Sequence, residues 1–168
     1  QMAEDYYFKR DIHWTPAGSK ATAKLSAQLI KQEPFYSQLP DKQYSTQVSG
    51  YSPIDGPMHR AAKQLCQQGY PMQYWNEYQT TETSGADDLL AEESSPQIVL
   101  LGTSFTALPK FNFDGFLREA LGKDVMNVAM TGGEDRGAWL EYLPSDGFQK
   151  APPKLIIWET PSHYSLSD

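Results

Sequence analysis

The stretch Gln97-Ile-Val-Leu-Leu-Gly-Thr-Ser104 decides the fold, because a short aliphatic run leads directly into glycine and two hydroxyl residues. Such a run, bounded by polar residues, is typical of a strand that is buried on both faces. A buried strand followed by glycine, a hydroxyl residue and a helix is how α/β folds present a nucleophile, although the Gly-x-Ser-x-Gly pattern is absent here. We therefore predict that Ser104 lies at the carboxyl end of a strand. The alternative is that Thr103 or Ser104 only caps the next helix.

On the carboxyl side, helices and strands alternate. Residues 112–121 have helical apolar spacing and stop at Gly122, which suits a helix C-cap. Residues 124–129 and 154–158 predict two more strands, with a helix between them. The apolar face of that helix is predicted to hold Trp139, Leu140 and Leu143. Strand, helix, strand, helix, strand at this spacing predicts parallel pairing with crossovers, and so an α/β sandwich.

On the amino side, Thr15 and Pro16 predict the start of a helix, since threonine caps and proline suits the first turn. The helix is predicted to run to about Gln32, because Pro34 prevents its continuation. Its apolar stripe is predicted to contain Ala17, Ala21, Leu25, Leu29 and Ile30. Residues 34–95 indicate only a short helix at about 58–68 and a surface excursion over 78–95.

Asp11 and His13 are the candidates to activate a serine. A serine hydroxyl is a poor nucleophile until a base takes its proton and a third group fixes the base's tautomer. Residues i and i+2 of an extended segment share a face, so in a turn or at a strand end both side chains can reach one site, and Trp14 can exclude water from it. The alternative is a surface histidine, with Asp11 paired to Lys9 or Arg10. A zinc site is disfavoured because these ligands are too few.

The composition excludes several classes of function. The net charge is −7, from 21 acidic and 14 basic side chains. This charge disfavours nucleic acid as a partner and, unless Lys and Arg gather in one groove, a polyanionic substrate. No apolar run approaches the roughly 20 residues that cross a bilayer. The 10 tyrosines and 4 tryptophans are most simply core residues, with sugar stacking as the alternative.

Cys66 is the only cysteine of the chain. One interpretation is a free, buried, small apolar residue. The other is a partner cysteine elsewhere, as is usual for an odd cysteine in an oxidising compartment. The segment around Asp11 begins the chain with no strand before it. We therefore expect residues 1–168 to form a single domain that is truncated at its N-terminus, with any export signal upstream.

Taken together, these motifs resemble the AlgJ/AlgX family of alginate O-acetyltransferases and its cellulose-acetylating relatives. Asp-x-His-Trp and Thr-Pro-x-Gly, at residues 11–18, are followed about 90 residues later by Gly-Thr-Ser-Phe-Thr at 102–106. The resemblance covers residues 5–32 and 97–164 in the family's order. It continues through residues 112–122, 125–129, 132–133, 140–143 and 152–159.

The resemblance implies an α/β, SGNH-hydrolase-like three-layer sandwich with a parallel central sheet. Its motif order is circularly rearranged, so that the Asp-His pair precedes the nucleophile. Ser104 would be the nucleophile, His13 the base and Asp11 its orienting group, with no metal and no cofactor. No carbohydrate-binding module, which some family members carry, is found in this sequence.

The resemblance also implies a set of oxyanion and substrate contacts. Backbone N–H groups at Ser104 and at Gly132 and Gly133 would hold the oxyanion. The family's arginine follows the first glycine of this turn, where this sequence has Gly133, so Arg136 is its nearest substitute. The further substrate-binding candidates are Trp14 and Tyr164.

The implied function is acetyl transfer to hydroxyls of a bacterial exopolysaccharide, of alginate or cellulose type, through a serine acyl-enzyme. The implied setting is the periplasm, with acetyl delivered by a membrane-bound acyltransferase of the MBOAT type. The position of Cys66 resembles one that is disulfide-bonded to an upstream cysteine, which would lie outside this segment. Two alternatives stay open: an acetyl esterase on the same polymers, and a non-catalytic polysaccharide-binding scaffold domain of a secretion complex.

Overall fold

The computed structural model describes residues 5–67, 69–83, 96–134 and 136–163. Short 3-10 turns lie at Tyr36–Gln38 and Pro109–Phe111. In chain order the helices and strands are α1 (Pro16–Ile30), β1 (Tyr44–Ile54), α2 (Pro57–Cys66), β2 (Gln73–Glu82), β3 (Ile98–Leu101), α3 (Ser104–Ala107), α4 (Phe113–Leu121), β4 (Met126–Asn127), α5 (Gly137–Tyr142), α6 (Asp146–Lys150) and β5 (Leu155–Trp158).

Strands β3, β4 and β5 form a parallel sheet with β3 in the centre. Every residue of β3 is buried, and its side chains alternate between two cores. Ile98 and Leu100 pack with residues of α1 and α4, whereas Val99 and Leu101 pack with residues of α5 and α6. The three predicted parallel strands, and the predicted layers of helix, sheet and helix, are therefore confirmed.

Helix α1 begins as predicted but buries a different face. The Thr15 side chain accepts a hydrogen bond from the Gly18 N–H at 3.2 Å. The predicted apolar stripe is correct for Ile30, which is buried, but wrong for Leu25 and Leu29, which are exposed. The buried residues are spaced three or four apart, and all but Ile30 are small, because α1 packs closely on α4. They include Ser19, Ala23, Ala27 and Ile30.

A two-stranded antiparallel hairpin occupies the region for which no strand was predicted. Strands β1 and β2 pair along their length, with a bulge between Val48 and Gly50. The predicted surface excursion is wrong for residues 78–82, which belong to β2, while residues 84–95 lie outside the described residues. Helix α2, between the two strands, confirms the short helix predicted there.

Two smaller predictions about burial also fail. Leu140 and Leu143 are exposed, because α5 turns Ala138 and Tyr142 toward the sheet. Cys66 is exposed at the end of α2, so the interpretation of a buried thiol is wrong. Within the described ranges, no helix has the length and apolar character needed to cross a membrane.

Candidate active site

Ser104 is the first residue of α3, directly after the turn that follows β3. The helix is capped by the preceding residue, since the Thr103 hydroxyl accepts a hydrogen bond from the Phe105 N–H at 3.3 Å. Capping therefore does not occupy the Ser104 hydroxyl, which is available to a base.

The chain brings Asp11 and His13 next to this hydroxyl across 91 positions of sequence. His13 Nε2 lies 2.8 Å from Ser104 Oγ, and His13 Nδ1 lies 2.5 Å from Asp11 Oδ1. The Asp11 side chain is 4% exposed and that of His13 is 13% exposed. A neutral imidazole that donates Nδ1–H to the carboxylate has Nε2 free to accept the serine proton.

The alternative of a surface histidine is contradicted by the partners of the neighbouring cations. Lys9 forms an ion pair with Asp5 at 3.5 Å, and Arg10 donates to the Pro71 carbonyl and to His59 Nδ1. Neither cation is paired with Asp11 in the structure. The Asp11 carboxylate therefore has no competing cation and is hydrogen-bonded to the His13 imidazole.

A tight loop, and not a strand, presents the two side chains. Phe8 N–H donates to the His13 carbonyl at 3.2 Å, which closes the loop. Inside it, Asp11 Oδ1 also accepts from the His13 backbone N–H at 2.9 Å. Of the two predicted settings, a turn or a strand end, the structure shows the turn, which is closed by the aspartate side chain. The imidazole packs on Phe105 and Phe111, with ring centroids 4.8 and 5.2 Å away.

Sequence reasoning missed Gly56, the N-cap residue of α2. A side chain there would place its Cβ 2.5 Å from Asp11 Oδ2 and 2.6 Å from the Arg10 carbonyl oxygen. Glycine is needed because the Asp11 carboxylate approaches the backbone so closely. A glycine before proline signals the start of a helix, but it does not reveal this contact.

Sequence reasoning also missed Glu159, the residue that follows β5. Its carboxylate accepts hydrogen bonds from the Thr103 N–H at 2.8 Å, the Thr103 hydroxyl at 3.0 Å and the Thr106 hydroxyl at 3.1 Å. The available signal was its position: an acidic residue directly after an aliphatic strand that neighbours the strand of the nucleophile.

A groove of about 530 Å³ runs beside His13, between the Asp11 loop and the β1–β2 hairpin. Lys110 lies in its wall, with Nζ 4.9 Å from the centroid of the Phe111 ring. Arg60 also lines the groove and pairs with Asp55 at 3.7 Å. The groove is therefore lined by both basic and acidic side chains.

The predicted substrate contact of Trp14 is wrong. This residue is 6% exposed, its indole N–H donates to the Phe105 carbonyl at 2.9 Å, and its ring stacks on Phe113. Both the ring and the N–H group are used within the protein. Trp14 supports the segment after Ser104 from inside the core.

The remaining candidates follow β4 in the chain or lie outside the described residues. Gly132 and Gly133 lie in the turn after residue 130, where the Met130 N–H donates to the Gly102 carbonyl at 3.1 Å. Arg136 is exposed at the start of α5. The functional roles of these three residues stay predictions, and Tyr164 lies outside the described residues.

The oxyanion prediction has one structural correlate. Ser104 N–H makes no hydrogen bond within the part of the chain that the structure describes, so it is available as an oxyanion donor.

The described ranges also contain no group of three His, Cys, Asp or Glu side chains that could hold a metal ion.

Comparison with known proteins gives consistent matches. The family model of the SGNH hydrolase-like domain of acetyltransferase AlgX matches residues 1–162. The chain is 43% identical to the alginate biosynthesis protein AlgX of Pseudomonas syringae, over 99% of this chain and 35% of that protein. It is 32% identical to the probable alginate O-acetylase AlgJ of Pseudomonas aeruginosa, over 94% of this chain and 43% of that protein.

A solved structure of AlgX from Pseudomonas aeruginosa superposes with a TM-score of 0.88 at 41% identity. The match covers 98% of this chain and 39% of that one. The chain thus spans about a third of the length of the curated AlgX relatives that it matches, 35% in the Pseudomonas syringae protein.

Proposed function

We propose, from the premise that this chain belongs to the AlgX family of SGNH hydrolase-like acetyltransferases, that it forms an acetyl-enzyme on Ser104 and passes the acetyl group to a polysaccharide hydroxyl. The observation that carries the proposal is the hydrogen-bonded series from Asp11 through His13 to Ser104, with contacts of 2.5 and 2.8 Å. Homology to a probable alginate O-acetylase supports the same reaction class.

The first half-reaction forms the acyl-enzyme. Ser104 Oγ attacks the carbonyl carbon of an acetyl donor as its proton moves to His13 Nε2. The bond between the acetyl carbon and the donor then breaks, and the leaving group takes that proton. Asp11 keeps the imidazole in the tautomer that can accept, and stabilises the imidazolium while it exists.

The second half-reaction releases the acetyl group to the acceptor. A sugar hydroxyl gives its proton to His13 Nε2 and attacks the acyl carbon. Ser104 Oγ leaves and regains the proton, so the enzyme returns to its starting state. In both halves the Ser104 N–H is the proposed oxyanion donor, with Gly132 and Gly133 as proposed sources of a second N–H.

The geometry favours an enzyme over a scaffold domain, which would need no such alignment of a carboxylate, an imidazole and a hydroxyl. An acetyl esterase would use the same residues, with water in place of the sugar at the acyl-enzyme. We prefer acetyl transfer to ester hydrolysis because AlgJ, a relative whose name gives an activity, is a probable alginate O-acetylase.

The proposed acceptor is a uronate polymer of the alginate type, because relatives across the family are named for alginate. The net charge of −7 disfavours such a polyanion unless cations line the site. Lys110 meets this requirement beside His13: its ammonium group has no ion pair within the described residues. Arg60 contributes less, because Asp55 already neutralises it.

The setting is proposed from the family alone. It is the periplasm, with acetyl supplied by a membrane-bound acyltransferase. Cys66, exposed at the end of α2, is the proposed partner of a cysteine outside this segment.

The test is transfer of acetyl from p-nitrophenyl acetate to oligouronate by the complete protein, its Ser104→Ala variant and a Ser37→Ala control, which alters an exposed serine. Acetylated oligouronate from wild type and control, but not from Ser104→Ala, is expected. Acetate release without acetylated sugar would replace the transferase with an esterase. Equal background rates in all three proteins would overturn both.

A further inference from the structure

Beyond the residues that react, the structure points to a second carboxylate that acts on the nucleophile turn. We propose that Glu159 is a positioning residue: it holds the turn at residues 102–106 so that Ser104 faces His13. The inference rests on the proposed function, since it concerns the same nucleophile.

The strand ladder brings Glu159 to the turn. Leu101 pairs with Trp158 in the parallel sheet, and the Glu159 N–H donates to the Leu101 carbonyl at 2.8 Å. The next residue of β3's chain is Gly102, where a Cβ would lie 2.7 Å from Glu159 Oε2 and would also collide with the Thr106 hydroxyl. Glycine at 102 therefore admits the carboxylate, and the sheet fixes its position.

The Glu159 carboxylate then accepts from three donors of the turn, of which only the Thr106 hydroxyl has another acceptor, the Thr103 carbonyl at 3.4 Å. It takes the Thr103 N–H, the Thr103 hydroxyl and the Thr106 hydroxyl, at 2.8, 3.0 and 3.1 Å. Hydrogen bonds to a charged acceptor are about twice as strong as neutral ones. These three bonds therefore hold both Thr103 and Thr106 against the residue that follows β5.

The same contacts distinguish the two adjacent hydroxyl residues. The Thr103 hydroxyl donates to Glu159 and accepts from the Phe105 N–H, which leaves it with no role toward a substrate. Among the described residues, the Ser104 hydroxyl is hydrogen-bonded only to His13, and the Ser104 N–H makes no hydrogen bond. Glu159 thus determines which hydroxyl, and which N–H, faces the reaction.

A neutral amide at this position tests the arrangement. Glutamine keeps one carbonyl acceptor, but its NH₂ group can only donate and would face donors. Glutamine should restore part of the turn, whereas alanine would leave the Thr103 N–H and hydroxyl without an acceptor and the Thr106 hydroxyl with only the Thr103 carbonyl at 3.4 Å. Glu159→Gln is therefore the conservative variant, and Glu159→Ala the full deletion.

The experiment measures the pre-steady-state burst of p-nitrophenol from p-nitrophenyl acetate in the complete protein. The burst rate reports acylation per active site, and its amplitude counts active sites. We expect Glu159→Ala to lower the acylation rate about 100-fold, as for a misplacement of about 1 Å, with the KM within about twofold. Glu159→Gln should fall between it and wild type. The exposed Glu141→Gln on α5 is the matched control and should behave as wild type.

A purely structural role would reduce the amplitude and the melting temperature, but not the rate per titrated site. Folded Glu159 variants with acylation within about twofold of wild type would overturn the inference while the proposed function stands. Absence of any Ser104-dependent burst in wild type would overturn both. If Glu159→Ala does not fold, Thr106→Val removes one of the same bonds and keeps the Thr103 cap of α3, and an unchanged acylation rate in that variant would also overturn the inference.

Discussion

At the residue scale, the Asp11 carboxylate lies where a side chain at position 56 would have to be. Gly56 has φ −68°, which alanine also adopts, so a substitution there acts through its contacts with the Asp11 side chain and the Arg10 carbonyl, both in the loop that presents the carboxylate. We expect Gly56→Ala to lower kcat on p-nitrophenyl acetate at least about tenfold by displacing Asp11 from His13. Gly69→Ala, where nothing lies within 4 Å of the added Cβ, is the control. A Gly56→Ala variant with the kcat of wild type would contradict the prediction that the position of the Asp11 carboxylate beside His13 depends on glycine at position 56.

Asp11 itself offers a sharper change. Asp11→Asn keeps the shape of the side chain but can turn an N–H toward His13 Nδ1, which favours the tautomer that cannot accept the Ser104 proton. We expect a loss of about 10³- to 10⁴-fold in kcat at neutral pH, with the fold retained. Steady-state kinetics with circular dichroism measure both quantities. A loss below about tenfold would exclude Asp11 as the group that orients the imidazole.

The three aligned residues could be selected from sequence because their side-chain types suit a nucleophile, a base and an orienting group, and because the family resemblance assigned them these roles together. Gly56 and Glu159 could not, since their importance depends on contacts made 45 to 56 positions away in the chain. Trp14 was misjudged for the same reason. Its neighbours in sequence indicate a site, whereas its contact with Phe113 makes it a core residue.

At the scale of elements, the hairpin is attached to α4 and its C-terminal loop through polar contacts. The Thr46 N–H donates to Glu119 at 2.8 Å, and the Tyr44 hydroxyl donates to Asp124 at 3.4 Å. Burial, together with the Asp124 and Glu82 carboxylates, raises the pKa of Tyr44 above its ordinary value of about 10. The hairpin therefore holds a phenol that resists ionisation in the folded state.

This pKa shift predicts an alkaline loss of stability. Below about pH 10 both states keep the phenol proton, so the contribution of Tyr44 to stability is constant there. Above that pH the unfolded chain ionises first, and the free energy of unfolding falls. Tyr44→Phe should remove this part of the fall, so urea unfolding near pH 8 and pH 11 should change less in the variant. Equal falls in both proteins would contradict the assignment.

The errors in predicting elements share a physical origin. Strands β1 and β2 are exposed or only partly buried along almost their whole length and are rich in Ser, Thr and Gln, so their sequences lack the apolar–polar alternation that predicts a strand. In α1, the close approach to α4 selects small residues and leaves Leu25 and Leu29 outside. Apolar spacing alone cannot show which face a close neighbour will take.

At the scale of the whole molecule, the parallel sheet was predictable because β3 is buried on both faces and reads as a continuous aliphatic run. Its two faces divide the core into two clusters, which gives the three layers. Family membership and the SGNH-like fold, both expected from the sequence, are confirmed by the comparisons.

The overall charge of −7 makes the acceptor prediction depend on a local cation. We expect Lys110→Gln to raise the KM for oligouronate about tenfold at low salt, and to leave the KM for p-nitrophenyl acetate unchanged. The difference should shrink as salt screens the charge. Lys24→Gln, on exposed α1 surface, is the matched control. An oligouronate KM that is insensitive to both Lys110 and salt would assign acceptor recognition elsewhere.

The central claim is that Ser104 carries the acetyl group between donor and acceptor. The most direct measurement is peptide mapping by mass spectrometry after rapid acid quench of the complete protein with p-nitrophenyl acetate. The account predicts acetyl on the peptide that contains Ser104, absent in Ser104→Ala and strongly reduced in His13→Ala. An adduct on any other residue, or equal labelling of wild type and Ser104→Ala, would contradict it.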